Sequence, residues 1–238
     1  MLVYQLPDHD IIFPPVELAL KTGILAVGGD LSPQRLLAAY EKGIFPWYAE
    51  DEPIIWWSPD PRFVLFPAEL HIAKTMKPLL KRGQFTITFD RAFPQVIASC
   101  QKPRRRESDT WITEDMRRAY CNLHDMGYAH SVEAWHENQL VGGLYGVSLG
   151  RCFFGESMFA TLSNASKAAF ITLVQRLKKL DFQLIDCQVY TAHLKSLGAR
   201  HIPRDDFISL LKKALLYDTL RGNWDVMPAF RNFTRSAY

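Results

Sequence analysis

Three largely apolar stretches in the middle of the chain carry scattered polar positions and read as strands: "AHSVEAWH", "QLVGGLYGVS" and "RCFFGESMF". The short links "EN" and "LG" between them predict an antiparallel meander. The next stretch, "SKAAFITLVQRLKKL", changes period. Phe170, Leu173, Val174 and Leu177 recur at helical spacing, with Asn164 or Ser163 as the cap. The apolar run "QLIDCQV" follows. A strand, a helix and a second strand predict a crossover to a parallel neighbour.

The flanks read similarly. "RFVLFP" and "FTITFD" are strands. "AELHIAKTMKPLLKRG" is a helix kinked at Pro78. Asp90 caps a helix through Ser99, Thr113 caps "EDMRRAYCNLHDM" and Gly127 ends it. "RDDFISLLKKALL" is the last long helix. Residues 1–62 are different, with prolines at 14, 15, 33, 46, 53, 59 and 61. They hold one clear helix, with Ser32 as N-cap, Pro33 first and Gly43 as stop. Leu36, Leu37 and Tyr40 share a side of it. The expected organisation is a small N-terminal domain over 1–62 and an α+β domain over 63–238.

Composition narrows the class. The 238 residues are 48% hydrophobic and 22% charged, an ordinary globular balance. A net charge of +3 permits a polyanionic partner without demanding one. Cys100, Cys121, Cys152 and Cys187 form no CxxC pair and no secretory signal precedes them, so a reducing cytoplasm is expected. No apolar run approaches the ~20 residues that span a bilayer. The seven histidines show no HExxH or HxH spacing, so no metal site is expected.

Polar residues inside the apolar strands are the candidate chemistry. In "LIDCQV", Asp186 and Gln188 share a face, and Ile185, Cys187 and Val189 form the other. Glu156 stands between Phe154 and Met158 on one face of its strand. If the two strands are parallel neighbours, Glu156, Asp186 and Gln188 line one cleft. Carboxylates hold an ammonium or accept its proton, and an amide oxygen orients an amine. The alternative is a buried polar cluster that satisfies backbone groups or arginines. Gly155 marks either a bulge or ordinary sheet twist.

Several motifs stand in a familiar order: "GGDLSP", "GIFPWY", "WWSPDPR", "TWIT", "HSVEAW", "LVGGLYGV", "FFGESMF", "NASKAAF", "LIDCQV" and "HLKSLGA". From about residue 11 to the low 200s the chain resembles the leucyl/phenylalanyl-tRNA–protein transferases. The resemblance implies a GNAT-like mixed sheet flanked by helices, behind a small N-terminal domain. It implies transfer of Leu or Phe, less readily Met, from aminoacyl-tRNA to the α-amine of an N-terminal Arg or Lys. No cofactor is implied, because the ester is already activated. "ATLSNASKAA" stands where GNAT enzymes carry the glycine-rich loop for coenzyme A.

The resemblance also implies roles. Asp186 and Gln188 orient the amine, with Glu156 beside them for the cationic acceptor. Leu144, Phe153, Met158, Leu173, Leu177 and Ile185 are the candidate pocket for the transferred side chain. If the strands are regular, Phe153 and Ile185 point away from Glu156 and Asp186, and a bulge at Gly155 would reconcile Phe153. Trp47 and Trp111 are candidates to stack on the terminal adenosine, while Trp56 and Trp57 pack between domains. Lys74, Lys77, Lys81 and Arg82 form a basic patch for tRNA phosphates, extended by the loop Arg104 to Arg106. A monomer is expected. Two rival readings remain: a coenzyme A-dependent N-acetyltransferase and a noncatalytic RNA-binding module.

Overall fold

Turn and cap signals place most element boundaries. In the computed structural model, residues 3–102 and 112–231 are described. The order is β1 (Tyr4–Leu6), β2 (Ile24–Gly28), α1 (Pro33–Glu41), β3 (Phe45–Pro46), β4 (Ile55–Trp57) and β5 (Arg62–Leu65). Then come α2 (Met76–Arg82), β6 (Thr86–Phe89), α3 (Phe93–Gln101), α4 (Glu114–Asp125), β7 (Ala129–His136), β8 (Gln139–Leu149) and β9 (Cys152–Ala160). The chain continues through α5 (Ala165–Lys179), β10 (Leu184–Asp186), α6 (Ala192–Ser196), β11 (Arg200–Ile202), α7 (Arg204–Ala214) and α8 (Pro228–Arg231).

Two sheets result. The smaller has the order β1-β2-β4-β3, and the larger has the order β11-β5-β10-β9-β8-β7-β6. Strands β6 to β9 form the antiparallel meander. Its first tight turn uses Glu137 and Asn138, whose φ values of 50° and 62° suit the twist of a two-residue hairpin. Helix α5 then carries the chain across to β10, which lies parallel to β9 and antiparallel to β5. The fold is α+β, with the expected mixed sheet flanked by helices.

Each face of the large sheet has its own apolar layer. Strand side chains alternate between them: Val64, Cys152, Phe154 and Leu184 enter one, and Phe63, Leu65, Phe153 and Ile185 the other. The first layer is built with α1, α3, α4 and α7, and it takes in Leu25, Phe45 and Trp56 of the small sheet. The second is built with α2 and α5, where Phe170, Leu173, Val174 and Leu177 are all buried. Each such side chain contributes about 1.5–3 kcal/mol.

Three local expectations are corrected. The helix expected from Ala68 starts only at Met76, so Pro78 sits in its first turn, where no intrahelical N–H partner is needed. Asn164 precedes α5 but makes no side-chain cap bond. Asp90 does not cap α3. Its carboxylate instead accepts from the backbone N–H of Ser131 (2.8 Å) and of Trp224 (2.7 Å), and pairs with His130 Nδ1 at 2.8 Å. His130 is stacked on Trp224 with centroids 3.7 Å apart, so Asp90 ties the C-terminal segment to the sheet. Asp90→Ala strands these buried donors, and a loss of about 2–4 kcal/mol in urea unfolding is expected.

Candidate active site

Strand β9 carries one residue more than its partner can match. Tyr145 pairs with Ser157 and Gly146 with Gly155, which leaves Glu156 without a partner across the ladder. This is a β-bulge, and it shifts the facing of every later side chain. Phe154 lies in the layer of α1 and α4, as do Tyr40 and Tyr120, which Glu156 bonds. Met158 packs in the other layer with Phe153. Phe154, Glu156 and Met158 therefore do not share one face, because the extra residue intervenes.

At the same level β9 and β10 part. Their last pair is Phe154 with Asp186, and β10 ends there. Gly155 stands at the parting, where an added Cβ would meet only the Asp186 carbonyl oxygen, at 3.6 Å. The strand expected through Val189 thus stops short. Gln188 takes φ 60°, and the Val189 N–H donates to the Cys187 carbonyl at 2.7 Å. That makes Gln188 the centre of a γ-turn with positive φ, a rare and strained form.

The turn links three polar groups. The Gln188 N–H donates to Asp186 Oδ1 at 2.9 Å, and Gln188 Nε2 donates to Glu156 Oε1 at 2.7 Å. Among the described residues nothing donates to Gln188 Oε1. Tyr40 Oη donates to Glu156 Oε1 at 2.7 Å and Tyr120 Oη to Oε2 at 2.9 Å, and the two hydroxyls lie 2.5 Å apart. Burial pushes the Glu156 carboxyl up to about 7, although the bonds from Tyr40, Tyr120 and Gln188 pull it down. Burial, with Glu156 nearby, lifts both tyrosines well above their usual value, so they stay neutral donors.

Asp186 has a different environment. It is fully buried and meets Arg62 in a bidentate pair, Nε to Oδ1 at 2.8 Å and Nη2 to Oδ2 at 2.6 Å. Both carboxylate oxygens are engaged, so Asp186 braces the Gln188 turn and does not face the parting as a free base.

The six pocket candidates share the layer of α5. Leu144, Phe153, Leu173, Leu177 and Ile185 are buried, and Met158 is the one partly exposed. They lie on the sheet face opposite Asp186 and Glu156, Phe153 and Ile185 included, since the bulge falls beyond Phe153. Trp47 is 38% exposed and rests on Trp57, with centroids 5.6 Å apart. Trp57 Nε1 donates to the Trp47 carbonyl. Trp56 is sealed beside Phe13 in the first layer. Lys77, Lys81 and Arg82 are exposed on α2, and Lys74 lies exposed in the turn before it. Trp111 and Arg104 to Arg106 fall outside the described residues.

Comparison with known proteins gives the family of the chain. Residues 64–212 match the family model described as leucyl/phenylalanyl-tRNA protein transferase, and residues 29–60 match the model of its N-terminal domain. The chain belongs to the leucyl/phenylalanyl-tRNA protein transferase family. It is 59% identical over 219 residues to the leucyl/phenylalanyl-tRNA–protein transferase of Syntrophus aciditrophicus, covering 92% of each chain. It is 55% identical over 226 residues to that of Myxococcus xanthus, covering 94% of this chain and 97% of the relative. Among solved structures it is similar to that of L-PGS from Bacillus licheniformis, at a TM-score of 0.39 and 11% identity over 70% of this chain and 53% of the other.

The polar cluster around Glu156 and Asp186 also draws on residues that sequence reasoning passed over. Tyr40 reads as the apolar face of its helix, Tyr120 as one residue of an amphipathic helix, and Arg62 as the end of "WWSPDPR". Nothing in the local pattern says that they converge. No group of His, Cys, Asp and Glu among the described residues is arranged to hold a metal.

A carboxyl raised by folding holds its proton in the native state while the unfolded chain has lost it. Wild-type stability therefore falls as pH rises from about 4.5 towards 7. Glu156→Gln lacks this loss. Its stability relative to wild type is expected to improve by about 2 kcal/mol between pH 4.5 and pH 8 in chemical unfolding, a figure reduced for partial solvent contact.

Proposed function

We propose that this chain transfers Leu or Phe, and less readily Met, from aminoacyl-tRNA to the α-amine of a protein beginning with Arg or Lys. The product is a peptide bond and, for the modified protein, a degradation signal. The observation that carries the reading is Gln188: its N–H is held by Asp186, its Nε2 by Glu156, and its Oε1 is left for a substrate. Membership of the transferase family supports the substrate classes.

In this reading the neutral α-amine donates a hydrogen bond to Gln188 Oε1 and attacks the ester carbonyl. A C–N bond forms, and the tetrahedral intermediate expels the ribose oxygen of the tRNA. The amine proton leaves towards Glu156, whose carboxyl titrates at about 7, and a proton is returned to the departing ribose oxygen as the hydroxyl of the free tRNA. Glu156 also attracts the cationic acceptor end. Asp186 acts through Gln188.

The transferred side chain passes the parting at Gly155 and enters the α5 layer beside Met158, the adaptable residue of the six. Leu144, Phe153, Leu173, Leu177 and Ile185 form the walls. Trp47 and Trp111 offer flat faces for the terminal adenosine. Lys74, Lys77, Lys81 and Arg82 meet tRNA phosphates. The working form is a cytoplasmic monomer that needs no metal or cofactor. No described helix is long and apolar enough to cross a membrane.

The assay is transfer of labelled Phe from Phe-tRNA to a peptide starting with Arg, beside one starting with acetyl-Arg. Transfer to the free amine alone is expected, and equal labelling of both would refute the reading. In wild type the kcat/KM profile carries an inflection near pH 7 from Glu156 in addition to that of the acceptor amine, and Glu156→Gln removes the first and leaves the second. Lys77→Ala with Lys81→Ala raises the KM for tRNA several-fold. It flattens the log–log salt dependence by about 1.5–2, and an unchanged slope would count against the phosphate contacts.

A further inference from the structure

Arg62 is a fully enclosed cation between the two sheets and α7. It has no solvent exposure, and its guanidinium carbon lies 4.8 Å from the ring centre of Phe45 and 4.6 Å from that of Phe207. One ring comes from the small sheet and the other from α7. The clamp leaves the planar fork one orientation, in which Nε and Nη2 meet the two oxygens of Asp186. Its remaining nitrogen, Nη1, makes no hydrogen bond among the described residues. A buried guanidinium with a donor unsatisfied is not the arrangement that maximises stability. It is an arrangement that fixes where one carboxylate sits.

The next link is Gln188. A γ-turn with φ 60° is unfavourable for a side-chain-bearing residue, so something must hold it. Asp186 Oδ1 accepts the Gln188 N–H at 2.9 Å while also accepting from Arg62. Moving the carboxylate moves the turn. Moving the turn displaces Oε1, the atom that the proposed reaction needs.

We propose that Arg62 is a positioning residue for the transfer reaction, which through Asp186 keeps Gln188 in its strained turn. Phe45 and Phe207 set the plane of the guanidinium, so the small sheet enters the reaction geometry without touching substrate. The inference rests on the functional reading above. Lysine would retain the charge but not the fork, and a displacement of the order of 1 Å at a reacting group lowers turnover by about 100-fold.

The test is steady-state transfer of Phe by the full chain, as wild type, Arg62→Lys, Gln188→Ala and the double variant. Arg62→Lys is expected to lower kcat by about 100-fold, with the KM for Phe-tRNA changed less than about twofold. In the Gln188→Ala background the same change is expected to cost less than about threefold, because the atom it positions is gone. Full kcat for Arg62→Lys, or an equal loss in both backgrounds, overturns the inference. If circular dichroism finds Arg62→Lys unfolded, Phe45→Leu decides. It loosens the clamp and leaves the ion pair, and a several-fold fall in kcat confined to the Gln188 background supports the inference. Unchanged kcat overturns it. Absence of transfer by wild type instead overturns the functional reading, and this inference with it.

Discussion

A carboxylate sealed in the middle of a sheet needs a cation, and that demand organises the centre of this protein. Taking Asp186 and Arg62 out of water is unfavourable by several kcal/mol per ion, and only a close bidentate geometry offsets it. The geometry is supplied from three directions: β5 carries Arg62, the small sheet contributes Phe45 and α7 contributes Phe207. The packing of the small sheet against the large one therefore helps to set this geometry. Tyr40, from α1, adds a second tie by donating to Glu156.

Two backbone irregularities do what a regular sheet cannot. In regular strands every second residue faces the same way, so the chemistry and the apolar layer would stay on opposite sides of a closed ladder. The extra residue at Glu156 reverses the facing along β9, which gathers Phe153 and Met158 into one layer. The end of β10 at Asp186 leaves the ladder open beyond that point. Polar groups on one side and apolar side chains on the other then meet at one gap, next to a glycine that does not fill it.

The two carboxyl groups differ because their partners differ. Asp186 faces a guanidinium. Glu156 faces two hydroxyls and an amide, all neutral, in a setting where burial dominates. Asp186 is held by a cation at both oxygens, and the Glu156 carboxyl is pushed up to about 7 by burial.

Period and punctuation in the chain determined the meander, the α5 crossover and its parallel neighbour. They also determined the caps at Ser32 and Thr113, because these depend on neighbours a few residues apart. Glu156, Asp186 and Gln188 stood out as well, since acids and amides inside apolar strands are conspicuous wherever they sit, and the structure joins the three by hydrogen bonds. Local pattern pointed to Gly155 but could not choose between a bulge and ordinary twist, because the bulge at Glu156 exists only against β8, and it could not locate the γ-turn at Gln188, which needs Asp186 to hold it. Nor could it convert Asp90 from a helix cap into a tie for Trp224. The convergence of Arg62 with Asp186, and of Tyr40 and Tyr120 with Glu156, spans separations of 124, 116 and 36 residues. Hydrogen bonds of that range are set by how layers pack, and packing is a property of the folded chain that no single stretch encodes.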